Sequence, residues 1–396
     1  MKKGSMKQFQ CAGICLSVLI LSGCATAPKR TAVPKQSIQT ASIPGIPNAR
    51  KLGDEPSDLA EHVLSLTPEE AQQMYPSVVG KKHAFLVLSG GGSNGAFGAG
   101  LLNGWTANGN RPEFNIVTGI SAGSILAPWA FLGSDYDYVA KELFSKYDTK
   151  QVVKKLGFFS GLYGLFGDAL TDSTPLRSVI YGYLGPDEIE KIAAEHRKGR
   201  RLFIGTTNLD TLRPITWNMG AIACSDHPKK RDLMVDIILA SASIPIAFPP
   251  MFIDVDADGK TYQEMHVDGG LARQLFFYPE EIHWDEVEKI LQTVGTSELY
   301  VIRNAKVDPQ WRVVKASLVD MGGRSLSSLI RTQGIGDISR IYLAAKRDHL
   351  DFHLSYIPET FTHESNEAFD KEQMQALYQF AYDSITKGDP WIKNLD

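Results

Sequence analysis

Alternating apolar strand-like runs and helical stretches predict an α/β fold, a mainly parallel sheet with helices on both faces. Three observations carry this expectation. Ala84-Phe85-Leu86-Val87-Leu88 is a continuous apolar run that ends in a glycine loop before a helical stretch. Phe114-Asn115-Ile116-Val117-Thr118 then leads through a second glycine-flanked turn into another helix. Leu299–Ile302 and Phe352–Tyr356 repeat the strand pattern between helical segments late in the chain.

The first residues stand outside this pattern. Lys2, Lys3 and Lys7 form a positive start, and Ala12 to Leu21 is an apolar run too short to span a bilayer comfortably. Leu21-Ser22-Gly23-Cys24 closes it, so residues 1–23 read as a signal peptide. The closing residues resemble a bacterial lipobox, which implies diacylglycerol on Cys24, cleavage before it and acylation of the new amine. Ala25 follows the cysteine in place of an aspartate, which in such lipoproteins suggests the outer membrane of the cell envelope. An ordinary signal with an incidental cysteine is the alternative. Each buried CH₂ of an acyl chain contributes about 0.8 kcal/mol, so two or three chains anchor stably. Residues 24–50 are proline-, serine- and threonine-rich without apolar periodicity and are expected as a disordered, lipidated tether.

Residues 51–79 are expected as a helical segment, its second helix opened by Thr67-Pro68-Glu69-Glu70 with proline at N1 and acids in the first turn. One domain is expected over 80–396, with its motifs in 83–280 and further helices and strands in 281–396. Its expected helices are Ala96–Ala107, one through Trp129 and Phe131, Leu233–Ala242, Trp311–Thr332, Asp337–Asp348 and Asp370–Lys387. Its strands include Ile116–Gly119 and Arg201–Thr206 besides those above.

Composition excludes some partners. Lysine and arginine number 41 against 45 acids, and no basic block exceeds Lys229-Lys230-Arg231, so nucleic acid is not expected. Loss of residues 1–23 removes three lysines and no acid, leaving a body more acidic than the formal −4. Membrane lipid would then be met through the acyl anchor and as substrate, not by general attraction to anionic headgroups. With Cys11 and Cys15 in the signal and Cys24 modified, Cys224 stands alone and no intramolecular disulfide can form. No metal or cofactor is expected. Asp254, Asp256 and Asp258 with Gly259 hint at a calcium loop but lack the bidentate glutamate, and a hairpin turn is preferred. Protein partners are not indicated.

The chemistry concentrates in three glycine-bearing turns. Gly119-Ile120-Ser121-Ala122-Gly123 places a serine at the apex of a strand-to-helix turn, where flanking glycines allow a strained elbow that lifts Oγ into the open. The helix N-terminus beside it favours negative charge. Ser89-Gly90-Gly91-Gly92-Ser93-Asn94-Gly95 fits three readings: a dinucleotide fingerprint, a merely structural turn, or an oxyanion hole. The first wants an acid ending the next strand, which here ends in the serine elbow. The third explains two such turns on neighbouring units, and each donor to an oxyanion typically stabilises the transition state by about 2.7–4 kcal/mol. A serine nucleophile needs a base. No late histidine sits in a telling setting, whereas Asp268 ends a short apolar strand, Met265-His266-Val267, before Gly269 and Gly270. An aspartate is a weak base unless its site is partly dry.

These turns, in this order, resemble the patatin-like phospholipase family. Thr206-Thr207-Asn208-Leu209-Asp210-Thr211-Leu212-Arg213-Pro214, Ala240-Ser241-Ala242-Ser243-Ile244-Pro245 and Phe248-Pro249-Pro250 resemble it too. The resemblance covers about 83–280 and implies a three-layer α/β sandwich and fatty-acyl ester hydrolysis of phospholipase A or lysophospholipase type. It also implies a Ser121–Asp268 dyad without histidine or metal, and an acyl-serine intermediate. Gly90, Gly91, Gly92 and Asn94 would form the oxyanion site, with Gly95, Gly119, Gly123, Gly269 and Gly270 as motif glycines. Asn94 stands where the family usually carries arginine or lysine, which leaves turnover and preference for phospholipid open.

Two other readings stay in play: an α/β-hydrolase with a Ser-Asp-His triad using His349 or His353, and a lipid-binding envelope protein with a disabled site. Leu156–Gly167, apolar and glycine-punctuated, is either a flap over an acyl groove or a core segment. His266 shares the strand face of Asp268 and either lines the site or is structural.

Overall fold

The computed structural model describes residues 30–395 except 57, 153, 156–170, 246, 279–281, 364, 366 and 368. The Leu156–Gly167 segment, Cys24 and the signal peptide therefore lie outside the described residues.

Nine strands make one sheet: β1 (Arg50–Leu52), β2 (Ala84–Leu88), β3 (Ile116–Ile120), then, after a separate two-stranded pair β4 (Lys154–Lys155) and β5 (Thr171–Asp172), β6 (Arg201–Asn208), β7 (Arg213–Asn218), β8 (Met251–Ala257), β9 (Lys260–Asp268), β10 (Glu298–Arg303) and β11 (Asp351–Tyr356). The order runs β1-β7-β6-β3-β2-β10-β11, with β9 joined to β6 and β8. The pairings β6-β3-β2-β10-β11 are parallel, and β1, β7, β8 and β9 add antiparallel pairs.

Side chains alternate across this sheet into two cores. Leu86, Leu88, Val117, Leu202, Tyr300 and Ile302 enter one, with the helices Gly95–Ala107, Ala122–Leu132, Lys230–Ser241 and Lys371–Thr386. Phe85, Val87, Leu299 and Val301 enter the other, under Asp58–Leu64, Trp284–Ile290 and Leu318–Arg347. Both faces of the central strands are thus dry, which explains their unbroken apolar sequence. The fold is the expected α/β sandwich of three layers.

Local signals read in the sequence reappear as structure. Thr67 and Glu70 form a reciprocal capping box at the helix Pro68–Met74. Asp258 and Gly259 both take left-handed backbone at the tip of the β8–β9 hairpin, φ 51° and 73°, the geometry of a tight hairpin turn.

Two expectations are corrected. Residues 30–50 are no loose tether: Arg30 pairs with Asp210, the Gln263 N–H donates to Thr31 O at 2.8 Å, and Ser42 bridges Asp256. Ala41, Ile43, Ile46 and Ala49 are buried. These four apolar residues lack a period because they sit in irregular turns, tied to the β8–β9 hairpin at Ser42 and to β7 at Ala49, not in a helix or strand of their own. The helices expected at Trp311–Thr332 and Asp337–Asp348 are one, Leu318–Arg347, capped by the Ser317 hydroxyl. Gly334 and Gly336 stay inside it. A helical glycine costs about 1 kcal/mol relative to alanine, and here a Cβ on Gly334 would stand 2.6 Å from the Arg303 guanidinium carbon. Among the described residues no helix is long and apolar enough to cross a membrane.

Candidate active site

The elbow forms because its neighbours leave room for nothing else. A Cβ on Gly119 would lie 2.4 Å from Gly123 O, and one on Gly123 would lie 2.3 Å from Leu88 O. Ser121, between them, has φ 53° and ψ −120°, a backbone region costly for any residue with a side chain. Two other serines hold it there. Ser241 Oγ accepts from the Ser121 N–H at 2.9 Å while donating to Gly205 O at 2.6 Å, and Ser124 Oγ donates to Ser121 O at 2.6 Å.

Asp268 reaches the elbow through strand register. β3 runs parallel to β6 and ends with Ile120 opposite Gly205. β9 runs antiparallel along the same edge and ends with Asp268 opposite Thr206. The two strands meet head-on at consecutive positions of β6, which brings Ser121 and Asp268 side by side. Both are buried, 5% and 4% exposed. The Gly270 N–H donates to Asp268 Oδ1 at 2.7 Å, and Oδ2 has no hydrogen bond among the described residues. Burial pushes the Asp268 carboxyl up to about 6, with the neighbouring Ser121 hydroxyl and the Gly270 N–H acting against it.

The triple-glycine loop lies against the same serine. A Cβ on Gly90 would stand 3.0 Å from Ser121 Cβ, and one on Gly91 only 2.1 Å from Asn304 O. The N–H groups of Gly90, Gly91 and Gly92 have no backbone acceptor among the described residues. A narrow apolar cleft of about 50 Å³ touches Gly92, Ser121, Ile125, Phe144, Leu176 and Phe248. Asn94, two residues on, lines a separate cavity of about 410 Å³ with Lys306, Arg324 and Arg331. Asp308 lines the same cavity, and Arg324 and Arg331 donate there to the Gln310 and Val307 carbonyls.

Gln274 and Arg303 also belong here, though no sequence signal marks them. Gln274 Nε2 donates to Gly270 O at 2.8 Å, and its Oε1 accepts from Arg303 Nη1 at 3.0 Å. Burial lowers the Arg303 guanidinium to about 10, with the Asp337 charge opposing. This pair buttresses the turn after Asp268 from beneath the glycine loop.

The remaining candidates fall elsewhere. No histidine lines the Ser121 cleft among the described residues. His349 is exposed after the helix Leu318–Arg347, and His353 is buried on the outer strand β11, stacked on Tyr300 at 4.5 Å. His266 is structural. Trp217 Nε1 donates to Thr206 Oγ1 at 2.8 Å, Thr206 Oγ1 meets His266 Nδ1 at 2.9 Å, and His266 Nε2 meets Glu264 at 3.1 Å. Glu264 closes the chain by accepting from Arg50 Nε and Nη2 at 2.8 and 2.6 Å.

The profile of the family described as patatin-like phospholipase matches residues 86–279. VipD from Legionella pneumophila is similar at 14% identity, over 77% of this chain and 66% of that one, with a TM-score of 0.39. The type III effector protein ExoU is similar at 14% identity, over 77% of this chain and 52% of that one, with a TM-score of 0.23. The chain therefore spans just under two thirds of the first and about half of the second. No curated protein matches. The matched stretch opens inside β2 and closes past the Asp268 turn, so it holds the glycine loop, the Ser121 elbow and Asp268, while β10 and Phe369, which lines the cleft, lie beyond it. Residues 86–279, just under half of the chain, thus match the patatin-like phospholipase family, and that match supports a lipid acyl hydrolase.

Proposed function

We propose that the protein is a membrane-anchored serine acyl hydrolase that cleaves fatty-acyl esters of phospholipid or lysophospholipid through a Ser121–Asp268 dyad. The observation that carries this reading is the head-on meeting of β3 and β9 on β6, which sets a strained serine beside a buried carboxylate. In the proposed cycle Asp268 takes the Ser121 hydroxyl proton as Oγ attacks the ester carbonyl. N–H groups of Gly90, Gly91 and Gly92 hold the oxyanion, and Asn94, expected beside them, lines the neighbouring cavity instead. As the tetrahedral intermediate collapses, the C–O bond to the alcohol breaks and the alcohol takes the proton from Asp268. Water, deprotonated by Asp268, then attacks the acyl-serine and releases the fatty acid, and the proton returns to Ser121. A carboxylate held near 6 is protonated and deprotonated within one cycle far more readily than one at its ordinary pKa.

A fluorophosphonate probe tests the nucleophile. The wild-type chain should gain the mass of one adduct and Ser121→Ala none. An adduct that persists on Ser121→Ala, or a folded wild type that takes none, removes the assignment.

The cations at Asn94 support a phosphate-bearing substrate. Arg324→Ala with Arg331→Ala should raise KM for phospholipid about tenfold while kcat/KM for an uncharged short-chain ester stays within twofold. Equal losses on both substrates would mean that the two arginines only hold the fold.

Anchoring through acylated Cys24, in the bacterial envelope and toward the outer membrane, completes the proposal. Arg30 is held by Asp210, so a lipid on Cys24 would lie only six residues from the folded body. Fully extended, six steps reach at most about 20 Å, so the body would sit close against the bilayer. Cells fed an alkyne fatty acid should label the wild-type chain and leave Cys24→Ser unlabelled; equal labelling contradicts lipidation at this cysteine.

A further inference from the structure

A cavity of about 580 Å³ lies between the sheet and the N-terminal helices, bounded by β1, β3, β6, β7 and residues within 273–278 and 282–287. Its volume falls within the range of ligand pockets, about 300–1,000 Å³. Most of its wall is apolar, with Leu52, Leu59, Phe203, Phe276, Ile282 and Trp284 among the lining side chains. The polar groups in that wall do not match each other. Arg201 lines the cavity from the start of β6, its Nη1 spent on the His196 and Arg200 carbonyls at 3.0 and 2.9 Å and its Nε buried without an acceptor. The Tyr75 ring lies 5.1 Å from its guanidinium carbon. Among the described residues no acidic side chain forms an ion pair with Arg201 or Arg273, whereas Arg50, the third guanidinium of the wall, is paired with Glu264. Glu55, the acid among the described lining residues, is engaged by Arg213 at 2.9 Å. Burial lowers the Arg201 guanidinium. Trp284 Nε1 is likewise buried without an acceptor.

A buried cation without a counter-charge is costly unless something anionic pairs with it. An apolar wall with unpaired guanidiniums therefore selects a molecule with a long alkyl body and a compact anionic head. We propose that this cavity binds one long-chain fatty carboxylate, its head held by Arg201 and Arg273 and its chain laid along Phe203, Phe276 and Trp284. The cavity lies on the sheet face opposite the Ser121 cleft. Arg273, whose N–H donates to Gly269 O at 3.0 Å, links its wall to the turn after Asp268. The inference does not depend on Ser121 being the nucleophile.

The test uses the full chain carrying Ser121→Ala, so that binding is read without turnover, and dibrominated stearate below its micelle concentration. Bromine should quench tryptophan fluorescence at one site per chain, and Trp284→Phe should remove most of that quenching while calorimetry still detects binding. Arg201→Gln and Arg273→Gln should each weaken binding at least tenfold, and stearyl alcohol should bind at least tenfold more weakly than stearate. Arg273→Gln, in the turn after Asp268 and outside the sheet, decides the matter if Arg201→Gln fails to fold. Binding of the alcohol as tight as the acid, indifference to both arginine variants, or no one-to-one binding would overturn the proposal. So would tight binding of a lysophosphatidate of the same chain length with none of the carboxylate, since the head would then be a lipid phosphate.

Discussion

Asp268→Asn is expected to abolish ester hydrolysis, by about a thousandfold or more, and at the same time to make the protein more stable above neutral pH. The two effects have one cause. Burial lifts the carboxyl from 3.8 to about 6. Between those values the folded chain keeps a proton that the unfolded chain has released, so stability falls as pH rises through that window. A two-unit shift makes the total loss at most about 3 kcal/mol above pH 6. Asparagine never ionises and escapes it, while its side-chain oxygen can still accept from the Gly270 N–H. In the wild type the same titration governs catalysis with the opposite sign: the base works only when deprotonated, so kcat/KM should climb with pH and level off above about 6. Denaturant melts at pH 3.5, 5 and 8 should show almost no gap between the Asp268→Asn and wild-type chains at the lowest pH, about half of it at pH 5 and all of it at pH 8, beside rates on a micellar phospholipid. An asparagine variant that keeps more than about a tenth of wild-type activity would exclude Asp268 as the base.

Arg50→Ala should destabilise the fold by about 3–5 kcal/mol, the usual result of stripping a buried charge of its partner. Arg50 and Glu264 have side chains only 1% exposed. Burial alone would raise Glu264, but the His266 hydrogen bond and then the Arg50 charge and hydrogen bonds hold it at about 2. The stabilisation from this depressed carboxyl is present at neutral pH and is lost as pH falls from the ordinary carboxylate range toward 2. Arg50 Nη1 also donates to Ala41 O at 2.9 Å, so the pair ties the N-terminal segment to β9, the strand that delivers Asp268. Arg50→Met with Glu264→Gln removes both charges and leaves His266 an acceptor, and it should recover more than half of the loss. Equal destabilisation of the single and double variants in urea melts would mean that packing of the Arg50 stem, not its charge, does the stabilising. A soluble form begun at residue 51 should fail to fold stably for the same reason.

Much of the site is legible in the sequence because its parts are local. Gly119 and Gly123 around Ser121 declare the elbow, since a tight strand-to-helix turn leaves no space for side chains at those positions. Gly90 to Gly92 declare a loop whose backbone must approach something closely. Asp268 before two glycines is a weak signal on its own and gains weight only from the family resemblance. Ser241 stands in a segment that the resemblance marks, but nothing local says that its hydroxyl holds the Ser121 N–H. Gln274 and Arg303 give no signal: they act by meeting each other from strands and turns remote in sequence.

The alternation of strands and helices, the elbow, the glycine loop and the acidic turn all follow from sequence alone, because hydrophobic period and glycine sterics act within a few residues. Other features arise only in three dimensions: β3 and β9 end at neighbouring positions of β6, residues 30–50 pack instead of trailing, and Arg50 reaches Glu264. Each depends on the register between distant segments. Register is set by which faces can be buried together across the whole sheet, and no local pattern carries that information.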